Sequence, residues 1–211
     1  VIQSTLYMDD KYLKDISDIK NMMNKSSQFL SLSGLGGIMA GVYALIGAFT
    51  AHELIEQSND NYYINSPLEN NTFQLIAIIG LAVLFLSITT ALLLTYNKTK
   101  REGETIWNST SKRLLTNFLI PLVTGGIFVL LLLRNENYGL IAPATLIFYG
   151  LSCVNASKYT LRDVRYLGLT IIIIGLLATE FSGYALEFWA LGFGLCHIIY
   201  GSMMYFKYDR N

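Results

Sequence analysis

Charge is what this sequence has least of. Lys, Arg, Asp and Glu make up 14% of its 211 residues, against roughly 25% in a soluble domain. The 15 basic and 15 acidic residues cancel, so there is no net positive field to hold a nucleic acid. The chain has two cysteines, Cys153 and Cys196, both inside apolar runs. A disulfide framework needs cysteines in loops of an oxidising compartment, so none is implied, and both read as small buried residues. Nucleotide, hydrolase and zinc signatures of the GxxxxGK[ST], GxSxG, HExxH and CxxC types are missing. Pairing Ser152 or Ser202 with His197 leaves a serine–histidine couple without a carboxylate to orient it. A conventional signal peptide is also missing. The first long apolar run begins near Phe29, behind a polar leader in which Met8 reads as a candidate start.

Apolar residues fill the space that charge leaves. They make up 53% of the chain, and mean hydropathy is +0.43. A helix needs about 20 apolar residues to cross a bilayer. Six runs qualify: Phe29–Ala51, Phe73–Tyr96, Leu114–Leu133, Tyr138–Ser157, Val164–Thr179 and Tyr184–Phe206. Val164–Thr179 is the shortest. Barrel strands would be about half as long and would alternate in polarity, so the expected fold is an all-α polytopic membrane bundle. Short connections make its six transmembrane helices three antiparallel hairpins. The expected organisation is a cytoplasmic leader over 1–28, a transmembrane domain over 29–206 and a cytoplasmic tail over 207–211.

Basic residues test the count. Lys11, Lys14, Lys20 and Lys25 lie in the leader, and Lys98, Lys100, Arg101, Lys112 and Arg113 in the second loop. Lys158, Arg162 and Arg165 lie in the fourth loop, Lys207 and Arg210 in the tail, and Arg134 stands alone on the other side. Six alternating spans produce this split, and the positive-inside rule then places both termini in the cytoplasm. Tyr62, Tyr63, Tyr138 and Tyr184 on one side, and Tyr96, Tyr159, Tyr166, Tyr205 and Tyr208 on the other, read as interfacial anchors.

Residues 9–28 carry Leu13, Ile16, Ile19 and Met23 at helical spacing among Asp and Lys. This is an amphipathic helix that lies on the membrane or docks a cytoplasmic partner. The second loop, with Ile106 and Trp107, is expected to form a short interfacial helix. Ser33, Gly37 and Gly41, and Ala40, Ala44 and Ala48, form two small-residue faces on the first span. Such faces let helices approach closely, either within the bundle or in a homodimer. Pro121 and Pro143 lie inside the third and fourth spans, where each removes a backbone bond.

Candidate functional residues are few. His197 lies near mid-depth in the sixth span, with Tyr200 one turn away, and Tyr43 and Tyr149 lie near the middle of the first and fourth. An intramembrane ionisable group is costly and needs an interior partner. These four are the expected ligand-binding set. His52, Glu53 and Glu56, with Glu180 and Glu187, read as an acidic rim rather than a metal site, so neither metal nor cofactor is expected.

The run Ser33-Gly34-Leu35-Gly36-Gly37-Ile38-Met39-Ala40-Gly41-Val42-Tyr43-Ala44-Leu45-Ile46-Gly47 resembles the first span of a group of uncharacterised small bacterial membrane proteins. His197-Ile198-Ile199-Tyr200-Gly201 with Met204-Tyr205-Phe206-Lys207-Tyr208 resembles their last. The resemblance implies a six-span bacterial inner-membrane protein and carries no activity or site residue.

Three function classes follow. The first is non-enzymatic binding of a lipid, a small apolar ligand or a partner protein, in a sensor or accessory role. The second is an oligomeric transporter or channel for a small solute or cation, although pore-lining charge rings and filter repeats are missing. The third is an intramembrane enzyme using His197. The absence of catalytic motifs favours the first.

Overall fold

The computed structural model describes residues 29, 32–57, 70–103 and 105–210. The leader helix expected over 9–28, and loop residues 58–69 with Tyr62 and Tyr63, lie outside them. The described chain is 90% helical, without strands, and contains six helices. They are α1 (Gly34–Gln57), α2 (Asn70–Arg101), α3 (Ser109–Arg134), α4 (Ile141–Ala156), α5 (Asp163–Glu180) and α6 (Ser182–Asp209). Five of them, all but α5 and with α4 counted together with its flanking turns over Tyr138–Tyr159, are long and apolar enough to cross a membrane. α5 has 18 residues, and Asp163, Arg165 and Glu180 interrupt its apolar run. The second loop holds no extra helix among its described residues. α2 instead runs on to Arg101, and α3 starts at a capping box in which Asn108 Oδ1 accepts from Ser111 N at 2.7 Å and Ser111 Oγ from Asn108 N at 3.0 Å. Asn108 gains from closing these orphan amides what an interfacial turn at Ile106 and Trp107 would not supply.

α6 is composite. α-Helical Ala185–Trp189 and Cys196–Met204 alternate with π-helical Ala190–Leu195 and Tyr205–Asp209. The helix therefore continues past Phe206 to Asp209. Pro143 occupies the third position of α4, where the missing N–H is one that a first turn leaves unbonded anyway. Pro121 lies within α3.

Two glycine seams hold the bundle. A Cβ at Gly41 would stand 2.6 Å from the Gly194 carbonyl oxygen, and one at Gly37 3.2 Å from Gly201 Cα, so α1 and α6 meet backbone to backbone. A Cβ at Gly168 would likewise stand 2.7 Å from the Gly150 oxygen, joining α4 to α5. The Gly37–Gly41 face of α1 is thus covered by α6 of the same chain. Leu146, Leu167, Ile171, Ile174 and Ala178 form the core between α4 and α5, closed by Phe188, Trp189, Phe193 and Tyr200 of α6. α2 rests chiefly on α1 and α3 on α4. Span threonines and serines bond their own helices, as Thr50 does to Ile46 and Ser152 to Phe148, which satisfies each hydroxyl without a partner helix.

The basic residues gather at one end, and polar ties close it. Asp209 Oδ2 accepts from the Gly34 amide at 2.8 Å, capping α1, and Asp209 Oδ1 accepts from Lys98 Nζ at 2.6 Å. Lys98 Nζ also donates to the Leu32 carbonyl at 3.0 Å. Both side chains of this pair are under 10% exposed, at 7% and 8%. On the other flank Lys207 Nζ and Tyr208 Oη each donate to Asp163 Oδ2 at 2.9 Å. The Lys207 hydrogen bond holds the Asp163 carboxyl below its ordinary range against the opposing effect of burial, with Tyr208 adding to the lowering. Phe29 N donates to the Tyr159 carbonyl at 2.7 Å, and Thr160 Oγ1 to the Phe29 carbonyl at 2.8 Å.

Candidate functional site

α4 and α6 bring Tyr149 and His197 together. The Tyr149 hydroxyl lies 2.8 Å from His197 Nε2, and His197 Nδ1 lies 3.1 Å from the Gly192 carbonyl oxygen. A carbonyl only accepts, so Nδ1 carries the proton. In the neutral ring Nε2 is then the acceptor, and Tyr149 donates to it. Gly192 stands five residues before His197, within the π segment. The irregular turn therefore presents the carbonyl that fixes the tautomer. Phe193 lies 5.1 Å from the Tyr149 ring and 5.9 Å from the His197 ring, and Phe118 of α3 meets Tyr149 edge-on at 5.9 Å, centroid to centroid. His197 is 6% exposed. Both its nitrogens are engaged inside the chain, so in this arrangement it offers neither a free base nor a metal ligand.

The remaining predicted residues separate. Tyr200 packs against the same core, and its hydroxyl is buried without a hydrogen-bond partner. Tyr43 is elsewhere: its hydroxyl is 3.3 Å from Thr90 Oγ1, between α1 and α2. Depth along a helix placed Tyr43 level with the others, but its face turns it to α2. Ser152 is fully buried and bonded to its own helix. Asn155 Nδ2 donates to the Asn117 carbonyl at 2.8 Å, a strut between α4 and α3. Cys153, one turn beyond Tyr149 on α4, is buried.

A second feature lies at the opposite, acidic end. Phe181, Tyr184, Glu187, Phe188 and Leu191 line an open groove of about 560 Å³ where α5 turns into α6. The Phe181 and Phe188 rings stack at 6.5 Å with an interplanar angle of 26°. Of the acidic rim, His52 and Glu56 form an exposed pair at 3.3 Å. No cluster of three or more His, Cys, Asp or Glu suited to a metal occurs among the described residues. Sequence reasoning noticed Glu187 and Tyr184 but not the groove, because its aromatic walls come from both sides of the turn. It also missed the ties of Asp209 and Asp163, which had no signal beyond being acidic residues in a basic neighbourhood.

Comparisons with protein families, with curated proteins and with solved structures each give no match to this chain.

Proposed function

We propose that this is a multi-pass protein of a bacterial inner membrane that binds a membrane lipid or another small apolar ligand without transforming it. In this reading the six helices span as three antiparallel hairpins, with both termini cytoplasmic. The gathering of the basic residues at one end supports that orientation, and the resemblance of the first and last spans supports the bacterial inner membrane.

The observation that carries the binding role is the groove at Phe181–Leu191. It is a shallow, open groove whose lining is aromatic and apolar apart from Glu187, a surface suited to an acyl chain laid along it. The interior polar pair, by contrast, satisfies itself. Native mass spectrometry of the protein in mild detergent tests the reading. The expected spectrum shows a discrete added mass in the lipid range that is reduced by Leu191→Trp, which fills the groove. A bare protein, or an adduct indifferent to Leu191→Trp, overturns it.

A further inference from the structure

The basic end carries more cations than its own carboxylates neutralise. Asp209 is held by Lys98, Asp163 by Lys207 and Tyr208, and Glu102 lies 4.0 Å from Lys98. Arg113, Lys158, Arg162 and Arg165 form no ion pair among the described residues, and each is exposed. Arg113 and Lys158 flank one helix seam. The strut from Asn155 Nδ2 to the Asn117 carbonyl joins α4 to α3. One turn outward from it on α3 stands Arg113, whose carbonyl accepts from Asn117 Nδ2 at 2.8 Å. Three residues outward on the other side stands Lys158, in the turn Ser157–Tyr159 that packs on α3. One turn inward from the strut, Ile120 is 59% and Leu151 40% exposed. The seam thus grades from two cations through a polar tie to open apolar surface. Trp107, 66% exposed with Lys112 Nζ 5.6 Å from its ring centre, stands just before α3, and an exposed tryptophan there suits headgroup depth. Sidedness of charge requires basic residues somewhere at this end; it does not require one on each bank of the same seam.

We infer that the outer end of the α3–α4 seam, between Arg113 and Lys158, holds the phosphate of an anionic membrane phospholipid, with an acyl chain running inward over Ile120 and Leu151. This inference rests on the membrane-spanning reading above but not on the groove at Phe181–Leu191, which lies at the other end. The Arg113 guanidinium offers a planar fork that matches a phosphate, and the Lys158 ammonium a point charge. Arg162 and Arg165, at the start of α5, add positive potential around them. A zwitterionic lipid brings an ammonium into the same field and loses what its phosphate gains.

The test is competition between headgroups on equal chains. The protein is reconstituted in nanodiscs of equimolar phosphatidylglycerol and phosphatidylethanolamine, and the lipids retained on release are weighed by native mass spectrometry. Each cation near an anionic headgroup is worth about fivefold, so the expected preference for phosphatidylglycerol is about twenty- to thirtyfold. Arg113→Gln and Lys158→Gln each lower it about fivefold, and the double variant brings it close to parity. Lys100→Gln, at the end of α2 away from the seam, and Leu191→Trp, in the groove, leave it unchanged. Arg113 and Lys158 are exposed, and unchanged thermal unfolding by circular dichroism establishes that the variants are folded. Equal retention of the two lipids by the unmodified protein overturns the inference while leaving lipid binding intact. A preference that survives the double variant, or that falls equally with Lys100→Gln, overturns it in favour of the diffuse charge of this end. A preference abolished by Leu191→Trp overturns it in favour of the groove. Retention of no lipid at all overturns the lipid-binding reading as well.

Discussion

α2 and α3 differ from the four other helices in a way that reverses the logic of a water-soluble core. They are the two most apolar of the membrane-length helices, yet 0% and 6% of their apolar windows are buried, against 39% for α1 and for α4. In water the most apolar helix goes to the centre. In lipid, apolarity offers no reason to leave the solvent, and helices associate through close backbone approach and polar ties. α1, α4, α5 and α6 have the glycines for such approach. Gly80 of α2 and Gly126 of α3, by contrast, have nothing within 4 Å of a built Cβ, and Gly125 of α3 meets the Phe148 side chain of α4 rather than a neighbouring backbone. Hydropathy here reports exposure on the outside of the bundle, and small residues report its core.

The sharpest break in that contrast is Lys98→Met. α2 has few attachments, and this one is buried. Removing the ammonium strands the Asp209 carboxylate that also caps α1, for an expected loss of about 3–5 kcal/mol. Loss of helical signal on titrating sodium dodecyl sulfate into mild detergent measures it, and a loss under about 1 kcal/mol would mean that α2 is held by α1 alone. Next is the glycine contrast itself. Gly150→Ala drives a methyl to 2.7 Å from the Gly168 oxygen and should cost about 1–3 kcal/mol. Gly80→Ala on α2 should be neutral or stabilising by up to about 1 kcal/mol. Equal effects in the same titration would erase the distinction between seam and outer helix.

A smaller effect concerns the polar interior. His197→Phe leaves the Tyr149 hydroxyl and the Gly192 carbonyl without their partner, at about 1–3 kcal/mol. His52→Phe, which breaks an exposed i,i+4 pair, should change stability by under about 0.5 kcal/mol. Similar values for the two would mark the Tyr149–His197 bond as dispensable. The smallest change is at the Asp163 tie. Its carboxyl is depressed in the folded state, so its contribution is complete above the unfolded value near about pH 4 and is lost as pH falls through the lower folded value. Lys207→Ala should flatten that acid-side slope, leaving the part that Tyr208 supplies, with little change at neutral pH. An unchanged pH profile would place the slope elsewhere.

The sequence made helix number and the gathering of basic residues legible, because run length and charge sidedness are imposed by the solvent rather than by neighbours. The small-residue face of α1 was legible for the same reason: Gly37 and Gly41 have few other uses at that spacing. Helix ends were less so. α2 outruns its apolar stretch to Arg101, since a formed helix extends cheaply through Asn97, Lys98 and Thr99. At the candidate site, Tyr149 and His197 could be matched by depth, but Tyr43 matched equally well and turned out to face Thr90. Periodicity gives a residue's height and relative angle on its own helix; it does not say which helix stands opposite. The Asp209 cap depends on where α6 ends relative to where α1 begins, and no local pattern encodes that.

The π segment of α6 works as a phase shifter. Each residue of an α-helix advances about 100° around its axis, and the wider turn at Ala190–Leu195 accommodates surplus backbone within the rod. The Phe188–Leu191 surface upstream and the Gly194–Gly201 seam downstream therefore need not share one angular register. Deleting a single residue from that turn would leave a helix of ordinary pitch with its outer portion rotated by roughly a quarter turn. The groove would then point at a different neighbour while the basic end stayed latched. A one-residue change in length at this spot would redirect one end of the protein without disturbing the other.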